Sequence, residues 1–258
     1  PGTMWLADAL RRGAIGEVRS VRFLGVWPRP RAYFLRNNWA GRLQVDGVPV
    51  LDSPLNNAFG HFVMLSLLFS GASPDEIDPA AGSVELWRAH DIESFDTAVV
   101  ALRTRRGVRL WFGASHVNRT SIEPEIVIEG AAGMAGWRYE KEAWLEAAPG
   151  GRQQRPVLDQ HATRRLMMDA VQRRLRDPAA AICSTAMASR HTSLIEGIHR
   201  AAPIRSFPRG QVEWAETSGP AAAVPAVPGL DAALRRAFAE QRSLRESGFA
   251  LAAVPNGR

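Results

Sequence analysis

The sequence predicts an α+β fold in which an open, mixed or antiparallel β-sheet carries helices packed on one face. The main observation is a run of strands without intervening helices, from about residue 83 to residue 147. A doubly wound parallel sheet would need a helix between successive strands. A helix, a strand and a second helix come before this run, and further helices follow it.

Hydrophobic periodicity and end signals place the individual elements. Even spacing of apolar residues predicts a strand over residues 17–27, and a glycine ends a first helix over residues 3–12. Further strands are predicted at residues 48–51, 83–89, 95–104, 108–116, 125–129, 137–139 and 143–147. Further helices are predicted at residues 54–70, 160–174, 180–200 and 231–245.

Composition indicates three parts of unequal size. Residues 216–230 are rich in proline and alanine, which is typical of a linker. They separate a folded unit, residues 1–215, from a terminal helix and tail, residues 231–258. The unit before the linker is long enough to bury a hydrophobic core of its own.

The chain has a net charge of +6, which by itself favours a nucleic-acid partner. Lys141 is the only lysine, however, and the arginines are scattered, which is typical of compositional bias rather than of a binding patch. No DNA-binding or RNA-binding motif is visible, and the longest apolar run, residues 59–69, is too short to cross a bilayer. We therefore expect neither nucleic acid nor a membrane as partner. The single cysteine, Cys183, favours the cytoplasm.

The most informative candidate site lies in residues 48–71, VPVLDSPLNNAFGHFVMLSLLFSG. A short apolar strand leads into Asp52, and a serine N-cap followed by proline predicts that a helix begins there. Asn57 and His61 are four residues apart, so that helix would present both on one face. A carboxylate, an amide and an imidazole are the groups of a proton-handling site. The alternative is a strand, a turn and a buried helix with one structural histidine.

Residues 27–42, WPRPRAYFLRNNWAGR, are richer in aromatic and hydrogen-bonding groups than a plain loop requires. Arg36 and Asn38 can bind hydroxyls or carboxylates in a defined geometry, and the Trp39 ring can stack on a sugar ring. The alternative is a well-packed surface loop at an oligomer interface, where the same residue types are enriched.

Three glycines, Gly130, Gly133 and Gly136, raise the question of a dinucleotide-binding loop. Their spacing is G-x-x-G-x-x-G and a strand-like segment follows, so no helix N-terminus is offered to a pyrophosphate. A glycine-rich β-turn explains them better. No histidine pair has an obvious metal-ligand arrangement, so we expect no metal site. His116 lies on an apolar strand face, either in the core or at the floor of a cleft.

Four segments, taken in order, resemble the glucose–fructose oxidoreductase / inositol dehydrogenase (Gfo/Idh/MocA) family. Residues 10–18, LRRGAIGEV, resemble the junction at which the C-terminal domain of that family begins. Residues 50–71 resemble its strand-to-helix segment with a D-x-x-x-H pair, and residues 125–133 its strand, G-x-x-G, strand turn. Residues 185–201 resemble its late helix. The likeness covers about residues 3–207 and rests on the order and spacing of individually weak motifs.

The resemblance implies a substrate-binding C-terminal domain whose N-terminal Rossmann domain, with NAD or NADP bound mainly there, lies outside this sequence. It implies an oxidoreductase that acts on a sugar, cyclitol or related hydroxyl or ketone by hydride transfer. It also implies a homo-oligomer formed through the open face of the sheet. Without the cofactor domain, this chain alone would be inactive. The alternative is a non-catalytic ligand-binding or oligomerisation module of the same fold.

The resemblance also implies roles for individual residues. Counted back from Gly71, the acid/base histidine of the family falls on His61 and its aspartate on Asn57. Counted forward from the strand, the aspartate falls on Asp52 and the histidine on Asn56. We prefer His61 as the acid/base, with Asn57 or Asp52 orienting it or the substrate. The expected substrate contacts are Arg36, Asn38, Trp39 and His191.

Overall fold

A sheet of nine strands organises residues 2–72, 76–215 and 219–249, which are the residues described in this computed structural model. The helices are α1 Gly2–Arg11, α2 Arg31–Leu35, α3 Gly60–Ser70, α4 Gln160–Arg176, α5 Thr185–Ala201 and α6 Leu230–Glu240. The strands are β1 Val18–Val26, β2 Gln44–Val45, β3 Val48–Pro49, β4 Ser83–Arg88, β5 Thr97–Arg103, β6 Arg109–Ser115, β7 Ile122–Gly130, β8 Gly133–Arg138, β9 Glu142–Ala147, β10 Gly151–Pro156, β11 Ile204–Ser206, β12 Glu213–Ala215 and β13 Val224–Ala226.

The large sheet is open and mixed, in the order β10-β9-β8-β7-β1-β6-β5-β4-β11. The central strand β1 pairs in parallel with β6, where Phe23 lies opposite Phe112, and antiparallel with β7. β11 is parallel to β4, and the other neighbouring strands are antiparallel. The predicted fold class, an open mixed sheet with packed helices, is confirmed.

The first face of the sheet carries the larger core, under α1, α3 and α5. Val21 and Phe23, alternate residues of β1, are fully buried there. The Phe23 ring stacks on the ring of Phe62 from α3, with their centroids 5.7 Å apart. Burying a side chain of this size stabilises the fold by about 2 to 3 kcal/mol. The position of α3, and with it the candidate site, is therefore set by β1.

The second face of the sheet is partly covered by the chain's own C-terminal segment. α6 lies over β1 and β6, and its apolar side, with Leu230 and Leu234, packs on Leu24 and Trp111. The Trp111 indole N–H donates to the Arg242 carbonyl at 2.9 Å. The sequence predicted helices on one face, and α6 adds one on the other. Its amphipathic pattern shows that one side is buried, but not which face of the sheet it covers.

A partly buried carboxylate fastens the end of that C-terminal segment. Glu85 on β4 accepts a hydrogen bond from the Leu244 N–H at 2.6 Å. Burial raises the pKa of Glu85 above its ordinary value, and backbone hydrogen bonds from Leu244 and Arg245 partly oppose this rise. The outer strands of the same face stay accessible, since Met134 on β8 is 40% exposed and every residue of β10 is exposed.

The described part of the predicted linker is folded, which corrects that prediction. Pro220–Ala222 form a turn of 3-10 helix, and β13 pairs antiparallel with β12. Ala226 and Val227 are each only 5% exposed. Alanine and valine are small and apolar enough to be buried, and Pro225 is tolerated because a two-stranded ribbon leaves one side of each strand unpaired. Residues 216–218 and 250–258 lie outside the described residues.

α4 lies outside both hydrophobic cores. None of its 17 residues is buried. The Asp159 side chain accepts a hydrogen bond from the Ala162 N–H at 2.8 Å and caps its N-terminus. Three arginines in its last turn, Arg173, Arg174 and Arg176, complement the helix dipole. End effects rather than core packing therefore hold this helix.

Replacing Gly130 by alanine is expected to destabilise the junction between β7 and the turn at Ile15. A Cβ atom on Gly130 would lie 2.1 Å from the Ile15 carbonyl oxygen, which belongs to the backbone and cannot move aside freely. We expect the free energy of unfolding, measured by urea denaturation, to fall by about 2 to 3 kcal/mol.

Gly150→Ala is the matched control, because its Cβ would meet no heavy atom closer than 3.7 Å. We expect this variant to stay within about 0.5 kcal/mol of the wild type. Equal stability of the two variants would contradict the close packing of Gly130.

Candidate functional site

The helix predicted from residue 54 begins only at Gly60. Residues 53–59 form successive turns, in which the Phe59 N–H donates to the carbonyl five residues before it, at 2.8 Å. That reach interrupts the regular ladder of an α-helix, in which each N–H bonds four residues back. Asn57 therefore precedes α3, and the prediction that Asn57 and His61 share a face of one helix is wrong.

A buried carboxylate holds this turn to the neighbouring loop. Asp52 is 6% exposed. Its Oδ1 accepts a hydrogen bond from the Asn57 side-chain amide at 2.9 Å, and its Oδ2 accepts one from the Gly41 N–H at 2.7 Å. Both carboxylate oxygens are thus bonded within the protein. Asp52 is suited to orienting the Asn57 amide rather than to taking a proton from a bound molecule.

Two histidines from different helices lie beside Gly60. His61 is the second residue of α3 and is exposed, whereas His191 on α5 is partly buried. The Nε2 atom of His191 lies 2.9 Å from the Leu55 carbonyl oxygen. Burial lowers the pKa of His191 below its ordinary value, and the charge of His61 lowers it further. His191 is therefore a neutral donor to Leu55, whereas the His61 ring is open to solvent.

Residues 27–42, here called the 27–42 loop, present the other predicted contacts. The Arg36 guanidinium lies 3.6 Å from the Tyr33 ring centroid and 5.1 Å from that of Trp39. The Asn37 side-chain oxygen accepts from the Trp39 N–H at 3.1 Å, which shapes the turn. Trp39 is 37% exposed, and Arg36 and Asn38 are exposed as well. The loop thus offers a cation, an amide and a ring to solvent.

The predicted site residues fall into two groups. Asp52, Asn57, His61 and His191 belong to one group, built on the turn that leads into α3. Arg36, Asn38 and Trp39 belong to the 27–42 loop. The Gly41 N–H, which donates to Asp52, ties the loop to the first group. Within the described residues, no hydrogen bond or ring contact joins the three loop residues directly to His61.

Sequence reasoning left open the role of a third histidine, His116, which lies in the core. It is 2% exposed, and its ring stacks on Phe59 with centroids 5.7 Å apart. Its Nδ1 atom lies 2.8 Å from the Trp27 carbonyl oxygen. Burial lowers the pKa of His116 to about 3. His116 therefore stays neutral and supports the start of the 27–42 loop from beneath.

A buried histidine–carboxylate pair, His90 and Asp96, was not predicted. The two residues lie 2.8 Å apart, between Nδ1 and Oδ2, at the end of β4 and just before β5. The sequence does hold a signal, since both polar residues flank a short turn between two apolar strands. Spacing alone does not show that their side chains turn inward.

Solved structures share the fold of this chain. The WlbA dehydrogenase from Bordetella pertussis, solved with NADH and UDP-GlcNAcA, is 22% identical with a TM-score of 0.55, over 77% of this chain and 57% of that chain. Levoglucosan dehydrogenase in complex with NADH is 14% identical with a TM-score of 0.61, over 77% and 60%. KijD10, a 3-ketoreductase from Actinomadura kijaniata solved with NADP and TDP-benzene, is 18% identical with a TM-score of 0.57, over 80% and 60%.

The chain shares its open mixed sheet and packed helices with part of each of these three structures. At these identities the likeness establishes the fold alone. The chain spans 57 to 60% of the length of the three structures. No protein-family model and no curated protein matches it.

The segment from Gly130 to Gly136 leaves no room beside its last two glycines for a nicotinamide dinucleotide. A Cβ atom on Gly133 would lie 2.3 Å from the Glu146 carbonyl oxygen, and one on Gly136 would lie 2.5 Å from the Trp144 ring. The space beside these glycines is thus filled by the neighbouring strand, as the prediction of a β-turn implies. In the described ranges of the chain, no helix is long and apolar enough to cross a bilayer, and no three histidine, cysteine or acidic residues gather as metal ligands.

Replacing Asp52 by alanine is expected to destabilise the protein strongly. The change leaves the Gly41 N–H and the Asn57 amide without their acceptor in a buried place. Hydrogen bonds to a charged group each contribute about 1.5 to 3 kcal/mol, so we expect a loss of about 3 kcal/mol in the free energy of unfolding.

Asp91→Ala is the matched control, since Asp91 is exposed and lies in a turn. Chemical denaturation of both variants measures the difference. A loss at Asp52 no larger than that at Asp91 would show that the two hydrogen bonds are unimportant.

The depressed pKa of His116 predicts a pH dependence of stability. The unfolded chain binds a proton on this histidine below its ordinary pKa of 6.5, whereas the folded chain does not until the pH approaches about 3. Stability due to this group is therefore complete above 6.5 and falls as the pH falls. The expected loss is about 2 kcal/mol between about pH 7 and about pH 5.

His116→Gln removes the titrating group, so its free energy of unfolding should fall less steeply over the same interval of pH. His161→Gln, at an exposed histidine on α4, should keep the wild-type slope. Urea denaturation at several pH values measures the three slopes. Identical slopes for wild type and His116→Gln would show that His116 is not held neutral.

Proposed function

We propose that this chain is the substrate-binding part of an NAD(P)-dependent oxidoreductase that acts on a hydroxyl or ketone of a sugar, cyclitol or related compound. The observation that carries the proposal is the exposed His61 at the start of α3, beside the neutral His191. Support also comes from the shared fold, since the three similar structures are a dehydrogenase solved with a sugar nucleotide, a levoglucosan dehydrogenase and a ketoreductase.

His61 has the properties that proton transfer requires. Oxidation of a hydroxyl to a ketone releases a proton, and reduction of the ketone takes one up, so a base or acid must lie within hydrogen-bond reach. An imidazole serves both directions near neutral pH. His61 is exposed, whereas His191 is engaged with the Leu55 carbonyl. In the proposed reaction His61 takes up or donates the proton at its ring nitrogen.

Asn57 and Asp52 have different roles in the proposed site. Asp52 is buried and bonded through both oxygens, so it positions the Asn57 amide and does not take part in proton transfer. Asn57 keeps its own amide oxygen available for a substrate hydroxyl or for the His61 ring. The choice between Asp52 and Asn57, left open by the sequence, thus becomes a proposed chain in which Asp52 orients Asn57.

The 27–42 loop supplies the proposed substrate contacts Arg36, Asn38 and Trp39. Stacking on Tyr33 and Trp39 restricts the Arg36 side chain before a ligand arrives, which lowers the entropy lost on binding. A half-exposed tryptophan can cover the apolar face of a sugar ring, while an arginine and an amide bind its hydroxyls or an attached carboxylate. His191 is the fourth proposed contact, and its ring lies beside Gly60, the residue before His61.

NAD or NADP supplies the hydride acceptor or donor when it is bound. Because the glycine-rich segment from Gly130 to Gly136 leaves no room for a dinucleotide, we assign its binding mainly to a domain outside this chain. This chain alone is then inactive, and its own residues bind the substrate, orient it and move the proton. Residues 1–215 form the substrate-binding unit, although α6 also packs on it.

A homo-oligomer remains part of the proposal. Its interface covers a smaller part of the open sheet face than the sequence predicted. α6 occupies the second face of the sheet over β1 and β6. The part of that face on β8 to β10, where Met134 is 40% exposed, is the surface left for a second copy. Its strands carry arginine–glutamate pairs such as Arg138 with Glu142, which suit a polar interface.

A non-catalytic ligand-binding or oligomerisation module is the second candidate. It is favoured by the absence, within the described residues, of a hydrogen-bond partner that fixes the His61 ring. Catalytic bases are commonly oriented by such a partner. In a binding module His61 would contact a ligand without exchanging a proton with it. Both candidates use the same site, and turnover separates them.

Replacing His61 by alanine is expected to lower kcat by about 10²- to 10⁴-fold, because the proton acceptor is lost. The assay follows NADH and NADPH absorbance with a panel of sugars and cyclitols, using the gene product that contains this sequence. His161→Ala is the matched control, since His161 is an exposed histidine on α4, and its kcat should be unchanged.

Near-normal turnover of the His61→Ala variant would end the acid/base role. If the wild type binds a ligand from the panel but turns over none of them with either nucleotide, the result supports the binding module.

A further inference from the structure

A buried polar pair lies beneath the 27–42 loop, away from the proposed proton-transfer site. His90 is 4% exposed and Asp96 is fully buried. One carboxylate oxygen of Asp96, Oδ2, accepts three hydrogen bonds of 2.8 Å, from the Ala89 N–H, the His90 N–H and the His90 ring Nδ1. Two of these donors are backbone N–H groups, and such bonds are stronger to a carboxylate than to a neutral acid.

The second ring nitrogen of His90 also faces an acceptor. Its Nε2 atom lies 3.0 Å from the Arg29 carbonyl oxygen. A neutral imidazole has one N–H and one lone pair. In either neutral form, a lone pair would point at the Asp96 carboxylate or at the carbonyl, in a largely buried place. With Asp96 as a carboxylate, only the doubly protonated ring donates to both acceptors.

His116 provides a contrast within the same cluster. It holds the Trp27 carbonyl through Nδ1, at 2.8 Å, and meets no carboxylate. Burial lowers its pKa to about 3, so one proton suffices. The carbonyls of Trp27 and Arg29, two residues apart at the start of the 27–42 loop, are therefore each held by a buried histidine. His116 needs one ring proton for its contact, whereas the two acceptors around His90 fit a ring that carries two.

The surroundings of the His90 ring include few other charged or titratable groups. They are Asp96, just before β5, the Arg29 guanidinium over the Trp27 and Tyr33 rings, and the neutral His116, which interacts electrostatically with His90. The Trp214 ring meets the imidazole edge-on, and Arg31 lies 4.0 Å from the centroid of that tryptophan ring on β12. The Phe34 ring of α2 packs against the imidazole at 4.5 Å, so the loop covers the pair directly.

We propose that His90 is a buried imidazolium, ion-paired with Asp96, and that it acts as a positioning residue that fixes the 27–42 loop for ligand binding. The positioning role rests on the proposed function, because that function assigns the loop to substrate binding. The ion pair between His90 and Asp96 is independent of it. A charged hydrogen bond to the Arg29 carbonyl is stronger than a neutral one. The loop that bears Arg36 and Trp39 is thus anchored at its Arg29 carbonyl by the buried charge of His90.

Long-range ¹H–¹⁵N NMR of the histidine rings tests the charge on the intact chain, without any substitution. At about pH 7, both ring nitrogens of His90 are expected to carry protons, and only Nδ1 of His116 is expected to do so. In Asp96→Asn, His90 should lose one of its two protons. A singly protonated His90 ring in the wild type overturns the proposal. A ring that stays doubly protonated in Asp96→Asn overturns the assignment of Asp96 as its counter-ion.

Hydrogen exchange tests the positioning role separately from turnover. In His90→Asn, amides of residues 31–42 are expected to exchange about tenfold faster or more, while those of β7 to β9 keep the wild-type rate. His161→Asn is the control and should change neither region. Unchanged exchange in the loop, or an equal rise in β7 to β9, overturns the positioning role. If turnover is absent while the His90 ring carries two protons and protects the loop from exchange, only the proposed function is refuted.

Discussion

The central strand β1 is packed on both faces, and the other parts of the structure take their positions from this packing. Val21 and Phe23 point into the larger core, whereas Leu24 and Val26 belong to the smaller one. β1 also pairs with β6 on one side and with β7 on the other, with register shifts near both ends of its pairing with β7. Two paired strands and two hydrophobic cores thus surround β1. A strand held in this way can keep the loop at its end in a defined place.

The candidate site follows from where β1 ends. β1 and β6 are parallel, so their carboxyl ends share one edge of the sheet, and Trp27 and His116 meet there. The 27–42 loop starts at this edge and is tied to the turn before α3 by the hydrogen bond from Gly41 to Asp52. Buried polar groups thus connect the rigid sheet to exposed residues that can meet a ligand. Preorganisation of this kind is what a binding site needs from its scaffold.

The sequence was informative where a residue's environment depends on near neighbours. Alternating apolar residues located β5 and β6, and their succession without helices predicted the mixed sheet. β10 was missed because its residues, GRQQRP, are polar and all exposed, so no pattern distinguishes them from a loop. The start of α3 was misplaced because the hydrogen bond between Asp52 and Asn57 competes with helical geometry. Helix propensity, which is a property of single residues, does not include this hydrogen bond between side chains.

Contacts between distant segments were the part that the sequence could not predict. His90 bonds to a carbonyl 61 residues away, and His191 to one 136 residues away. Both histidines had to be judged from the sequence without these partners. His61 was selected on a resemblance to a family motif, and its role stays a prediction that turnover has to test. Residue type and spacing therefore indicated the candidate acid/base, while the supporting network became visible only in three dimensions.

The cover that α6 places on the second face of the sheet constrains how copies of this chain can assemble. Leu234 and Trp111 already bury each other within one chain, and Glu85 and Leu244 fasten the segment beyond the helix. Another copy gains nothing by approaching that surface unless it brings an equivalent helix. Association there would require an exchange of C-terminal segments between two chains, with each α6 lying on the sheet of its neighbour. Such an exchange would keep the contacts between α6 and the sheet and change those of the turn that leads into α6.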